Sequence, residues 1–279
     1  MISRRTLLAA PLALSAQTRR GALVILWSRS RSLPDALADA SVVFPRAYTA
    51  CPQEAAARRA LETGRFPHAS RASDPTLESE LRRAGWTYRL APADTREEAI
   101  RLLAATPPEA VVVFAAAPVG SEDLALERAV HLPLALRWPG LLAPKSAAEI
   151  LLSHADLMPT LLALAGVDPP EGVQGRNLAP LLRGERAPLP DAVYVEGSAG
   201  ARTSWRALIR GFDKLVFNLR EEVLGMYNVE DDPQEQTNLA REASRNPSLK
   251  LERDGLLALA RVWMRKLEDG RDSSGARTR

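Results

Sequence analysis

Three short, continuous apolar runs limit what this chain can fold into. They are Leu23–Trp27 (LVILW), Ala110–Phe114 (AVVVF) and Leu132–Arg137 (LPLALR). Runs this short, without polar alternation, fit strands buried on both faces. Helical segments separate them. Pro52–Leu61 (PQEAAARRAL) is alanine-rich and is ended by Gly64. Thr76–Ala84 places Leu77 and Leu81 at i and i+4 before Gly85, and Glu97–Ala105 is closed by Pro107 and Pro108. These are amphipathic helices with stop signals. Asp35–Phe44 reads as a short helix leading into another apolar stretch. Strands alternating with helices predict an α/β core with a largely parallel sheet. The runs at Leu23–Trp27 and Ala110–Phe114 are expected to be neighbours in its middle, since each needs cover on both faces.

The second half changes character. Ala147–Ala165 reads as a long helical stretch, and Pro159 inside it predicts a kink or a fresh start near Leu157. A short helix is expected at Leu178–Leu182. Val193–Val195, Trp205–Ile209 and Lys214–Asn218 are short runs separated by glycine and charges, which predicts antiparallel strands of a smaller subdomain. Leu256, Leu259, Ala260, Trp263 and Leu267 fall on one face of a final helix. The expected organisation is a leader at 1–20, an α/β core at 21–190, a C-terminal subdomain at 191–269 and a polar, disordered tail at 270–279.

With 279 residues, 46% of them hydrophobic, the chain can bury a sizeable core. Its net charge of +3 comes from scattered arginines, with no basic block interleaved with aromatics. Nucleic-acid binding is therefore not expected. The single cysteine, Cys51, cannot form an internal disulfide, and His68, His131 and His154 show no metal-ligand spacing, so no zinc site is expected. Arg4 and Arg5 precede an apolar run ending in small residues near Ala16 and Gln17. This is the layout of a twin-arginine export signal, and it predicts a periplasmic or extracellular protein. The run is too short for a membrane span, and no other stretch is long and apolar enough for one.

Four segments carry a resemblance. Ala47–His68 reads AYTACPQEAAARRALETGRFPH, Leu132–Gly140 reads LPLALRWPG, Ser153–Gly184 reads SHADLMPTLLALAGVDPPEGVQGRNLAPLLRG, and Met226–Ala240 reads MYNVEDDPQEQTNLA. In this order they resemble the sulfatase family: its C-x-P-x-R signature closing with L-x-T-G-R-x-P-H, its R-x-P-G strand, its D-L-x-P-T-L-L-x-L-A-G helix and its D-P-x-E-x-x-N-L-A segment. The resemblance implies an alkaline-phosphatase-like α/β sandwich with a small C-terminal antiparallel subdomain. It also implies sulfate-ester hydrolysis by a formylglycine nucleophile beside calcium or a similar cation. A hard dication needs several oxygen ligands, which acidic residues supply.

Matched without gaps, the signature places Glu54 at the nucleophile, Ala56 at the following proline and Arg58 at the motif arginine. Glutamate cannot become formylglycine. Cys51 does not start a C-x-P-x-R and reads as a small buried residue. Where the family's first strand ends in two aspartates, this chain has Arg29 and Ser30; where a later strand supplies further ligands, it has Ala117 and Pro118. The resemblance thus leaves Glu54 and Arg58 as vestigial catalytic positions. Arg29, Ser30, Ala117 and Pro118 become lost-ligand positions, and no cofactor is expected. Between Leu90 and Glu109 the chain is much shorter than the family pattern.

Arg58 is expected to pair with Glu54 on the helix surface, the alternative being a remnant that holds an anion. His154 and Asp156 suggest an acid–base pair, but Asp156 reads better as a helix cap. His68 reads as structural, and Asp231 and Asp232 as turn formers before Pro233. Glu54 as a new general base has no partner that the sequence names. The expected function is a pseudoenzyme that binds a protein or glycan partner. The alternatives are an active sulfuric ester hydrolase with a non-standard site, acting on sulfated carbohydrate or aryl sulfate, and a decayed product without a role.

Overall fold

The computed structural model describes residues 21–118, 125–197 and 204–268. The leader and the final tail therefore lie outside the described residues. In chain order the first half comprises β1 (Ala22–Ser28), α1 (Asp35–Ala38), β2 (Val42–Phe44), β3 (Ala47–Tyr48), α2 (Glu54–Thr63), α3 (Leu77–Arg83), β4 (Thr87–Ala93), α4 (Arg96–Ala104), β5 (Val111–Ala116), α5 (Glu127–Val130) and β6 (Leu134–Arg137). Then follow β7 (Ser146–Ala147), β8 (Leu152–Ser153), α6 (Leu157–Leu164), α7 (Ala179–Leu182), β9 (Ala192–Gly197), β10 (Trp205–Arg210), β11 (Asp213–Asn218), β12 (Val223–Asn228) and α8 (Pro247–Glu268).

The main sheet has the order β4-β1-β5-β6-β2-β7. Strand β1 runs parallel to both β4 and β5, and β2 parallel to β7, while β6 is antiparallel to its two neighbours. The sheet is thus mixed, with β1 and β5 adjacent and interior. Their alternation divides two cores. Leu23, Ile25, Trp27, Val111 and Val113 face α2, α3 and α6. Val24, Leu26, Val112 and Phe114 face α1 and α4. This double cover explains why neither run alternates with polar residues.

Strand β4 was not legible in the sequence. It pairs with β1 alone, so its Pro92 removes no needed donor. The stretch Ala147–Ala165 is not one long helix. Residues up to Ser153 are drawn into β7 and β8 by pairing with β2 and β3, and a single tight turn, His154–Asp156, precedes α6. Pro159 sits in the first turn of α6, where its missing N–H has no intrahelical role. Asp156 does not cap α6 with its side chain. Its carboxylate instead accepts from the N–H groups of Ser153 and Arg176, at 2.9 and 2.7 Å.

The second sheet is antiparallel, in the order β12-β11-β10-β9. Leu256, Ala260, Trp263 and Leu267 of α8 pack on its Tyr194, Leu208, Leu215 and Phe217. Ala60 of α2 and Phe66 join that cluster and tie the two parts together. Among the described residues no helix is long and apolar enough to cross a membrane.

Candidate functional site

In a sheet with parallel neighbours, ligand sites lie beyond the carboxyl ends of the strands. Here the ends of β4, β1 and β5 meet: the Arg29 N–H donates to the Ala93 carbonyl at 2.9 Å, and the Ala117 N–H to the Ser28 carbonyl at 2.6 Å. Helix α2 begins beside this edge with Glu54, an acidic residue favoured in a first turn. Gly64 ends the helix at φ 63, and a Cβ there would stand 2.7 Å from Val173. Glycine therefore fixes the orientation of α2 at its far end.

Glu54 is held on both oxygens. Trp27 Nε1 donates to Oε1 at 3.2 Å, while Arg29 Nε and Nη2 donate to Oε2 at 3.1 and 3.0 Å. Arg29 also places Nη1 3.3 Å from Asp94 Oδ1. The hydrogen bonds it donates to Glu54, then the charge of Glu54 and that of Asp94, hold the guanidinium above its ordinary range. The Arg29 side chain is 53% exposed, so the pair sits at an open surface.

The other predicted residues separate. Ser30 donates its N–H to Ser28 Oγ, fixing the turn after β1. Ala117 and Pro118 are buried and offer only backbone. Arg58 does not pair with Glu54, which is taken by Arg29. It is exposed, and its charge acts instead on Glu62 and Tyr88. His154 and Asp156 form no acid–base pair: Asp156 is bound to Arg176 at 2.7 Å, and neither ring nitrogen of His154 has a partner among the described residues. His68 ties its loop to Glu196, donating its N–H at 3.1 Å. Asp232 accepts from the Thr237 N–H at 2.8 Å as a turn former. Cys51 is buried.

Several comparisons bear on this arrangement. The family model for N-sulphoglucosamine sulphohydrolase, C-terminal, matches residues 122–257. An ulvan-active sulfatase from Formosa agariphila is 26% identical over 178 residues, 50% of this chain and 34% of that protein. An endo-4-O-sulfatase from Bacteroides thetaiotaomicron is 37% identical over 78 residues, 26% of this chain and 15% of that protein. A solved 2-O GAG sulfatase superposes with a TM-score of 0.75 at 16% identity, covering 90% of this chain and 93% of that one. Family model, curated relatives and solved structures together support the sulfatase family. The fold of this chain is alkaline-phosphatase-like, and the chain spans about a third or less of the length of the curated relatives it matches.

The similarity to sulfatases implies a hard dication near the nucleophile. The residues present do not fit one. A guanidinium stands between the two carboxylates that meet at the sheet edge, and both oxygens of Glu54 accept from neutral or cationic donors. Among the described residues no group of three or more His, Cys, Asp or Glu is placed to hold a metal ion. Sequence reasoning missed Trp27 and Asp94. Trp27 was within reach, because alternation along β1 puts it on the face of Leu23 and Ile25, towards α2. Asp94 follows the strand that sequence patterning did not reveal.

Proposed function

We propose that this chain is an exported sulfatase-family protein without sulfatase activity, a noncatalytic module that binds a glycan or protein partner outside the cytoplasm. The observation supporting inactivity is that both oxygens of Glu54 are engaged by donors. A carboxylate at the nucleophile position, held by Trp27 and by Nε and Nη2 of Arg29, is neither a formylglycine precursor nor a free base. A glycan partner is supported by the ulvan-active and GAG sulfatases among the similar proteins.

The purified protein is expected to release no sulfate from an aryl sulfate above a heat-killed control, and to bind no calcium by calorimetry. Glu54→Cys with Ala56→Pro restores the core of the maturation signal. The double variant is expected to stay inactive when co-expressed with the maturation enzyme, because Arg29 still opposes a dication. At an effective dielectric of about 20 that repulsion is on the order of a few kcal/mol per unit charge at contact. Sulfate release by the unaltered chain would establish the alternative, a sulfuric ester hydrolase acting through a non-standard site.

Export is proposed to follow the twin-arginine route, on the motif at Arg4 and Arg5. Replacing both with lysine is expected to leave the protein in the cytoplasm of its host. Fractionation with immunoblotting reads this out, and undiminished export of the double variant would reject the route.

A further inference from the structure

Resting on the reading that this site no longer serves sulfatase chemistry, we propose that Arg29 is a built-in counter-cation. Its guanidinium stands in for the family's dication and holds Glu54 and Asp94 at the sheet edge without metal. Alternation along β1 carries Leu23, Ile25 and Trp27 towards α2, and Arg29 is the next residue of that series. Its backbone is fixed by the N–H bond to Ala93 O. The planar fork then serves two carboxylates at once, Nε and Nη2 on Glu54 and Nη1 on Asp94. A lysine ammonium has no such fixed fork. Trp27 Nε1 supplies the remaining donor to Glu54.

One guanidinium against two carboxylates leaves the cluster with a single net negative charge. A hard dication seeks several anionic or carbonyl oxygens and no neighbouring cation. Arg29 therefore opposes metal by its charge and by engaging one oxygen of each carboxylate. The same geometry makes the exclusion reversible by one substitution. Arg29→Asp would bring three carboxylates to the ends of β1, β4 and α2. Because the ion pairs are solvent-exposed, losing them costs little stability.

Terbium titration of the full chain tests this, with emission sensitised by Trp27 beside the cluster. The unaltered protein is expected to show no emission that depends on Glu54. Arg29→Asp is expected to bind terbium on the order of tenfold more tightly or better, following the count of anionic ligands. Adding Glu54→Gln should abolish that gain, and Arg29→Lys, which keeps the charge but not the fork, should gain less than Arg29→Asp. If circular dichroism shows Arg29→Asp to be unfolded, Arg29→Ala takes its place with a smaller gain in the same direction. Equal, Glu54-dependent binding by the unaltered chain and the variant would overturn the proposal. So would the absence of any gain in a folded Arg29 variant. Aryl sulfate hydrolysis by the unaltered chain would instead reject the inactive reading, while the terbium result still decides the role of Arg29.

Discussion

Lys214→Ala is expected to destabilise the fold by about 3–5 kcal/mol, the cost of removing one partner from a buried ion pair. Lys214 is fully buried, with Nζ 3.2 Å from Glu127 Oε2 and 2.8 Å from Glu235 Oε1. The three come from separate parts of the chain: Glu127 opens α5, Lys214 lies in β11 and Glu235 in the turn after β12. They are also joined directly. The Glu127 N–H donates to Glu235 Oε2 at 2.6 Å, and the Tyr48 hydroxyl donates to Glu127 Oε1 at 2.8 Å. Burial, reinforced by the Glu127 charge, holds the Tyr48 phenol well above its ordinary range, so it remains a donor. Truncating Lys214 leaves two buried carboxylates side by side and opens a void.

Two comparisons isolate the electrostatic part of that loss. Lys214→Met combined with Glu127→Gln and Glu235→Gln is expected to recover most of it, because neutral groups of similar size carry no uncompensated charge. Arg82→Ala breaks the exposed i,i+4 pair with Glu78 and is expected to cost less than about 0.5 kcal/mol. Urea unfolding with a common m-value measures all three. A Lys214→Ala protein within about 1 kcal/mol of the unaltered chain would mean that the cluster contributes no net stability.

That cluster also marks where sequence reading stops. Glu127 is 87 residues from Lys214 and 108 from Glu235, and no local pattern connects them. Strands β1 and β5 were legible because burial on both faces writes itself as an unbroken apolar run. Strands β9, β10 and β11 of the C-terminal sheet and α8 were legible through turn residues and helical spacing, whereas β12 was not. Strand β4 was not: it lies at the edge, alternates in exposure and contains Pro92. The segment before Leu157 misled because β7 and β8 form by pairing with β2 and β3, partners that no local pattern in AAEILLSHAD announces. At the candidate site sequence reading singled out Glu54 through the signature register and Arg29 at the end of the first strand, two residues whose side chains meet in the fold. It could not show Asp94, which depends on β4, nor that Arg58 would be left without Glu54 as its partner.

The sharpest acid dependence is expected from His154. Its side chain is fully buried against Trp27, with ring centroids 5.6 Å apart. With neither nitrogen partnered among the described residues, burial pushes its pKa down to about 4. The unfolded chain takes up a proton near pH 6.5, which the folded chain refuses until about pH 4. Stability therefore falls as pH drops through that window, by about 3 kcal/mol in all. His154→Leu removes the group, so its advantage over the unaltered chain should grow by about that amount between pH 7 and pH 4. Comparing the two proteins at each pH cancels the carboxylates they share. His68 supplies a control of opposite sign. Burial pulls its pKa down, but the hydrogen bond and charge of Glu196 outweigh this and raise it. Its contribution is present in full below its unfolded pKa and lost as pH rises through the folded value. His68→Gln should therefore lose most against the unaltered chain in acid, where His154→Leu gains most. Parallel pH profiles for His154→Leu and the unaltered protein would mean that His154 is solvated or partnered in solution, and the acid sensitivity would then belong to the carboxylates.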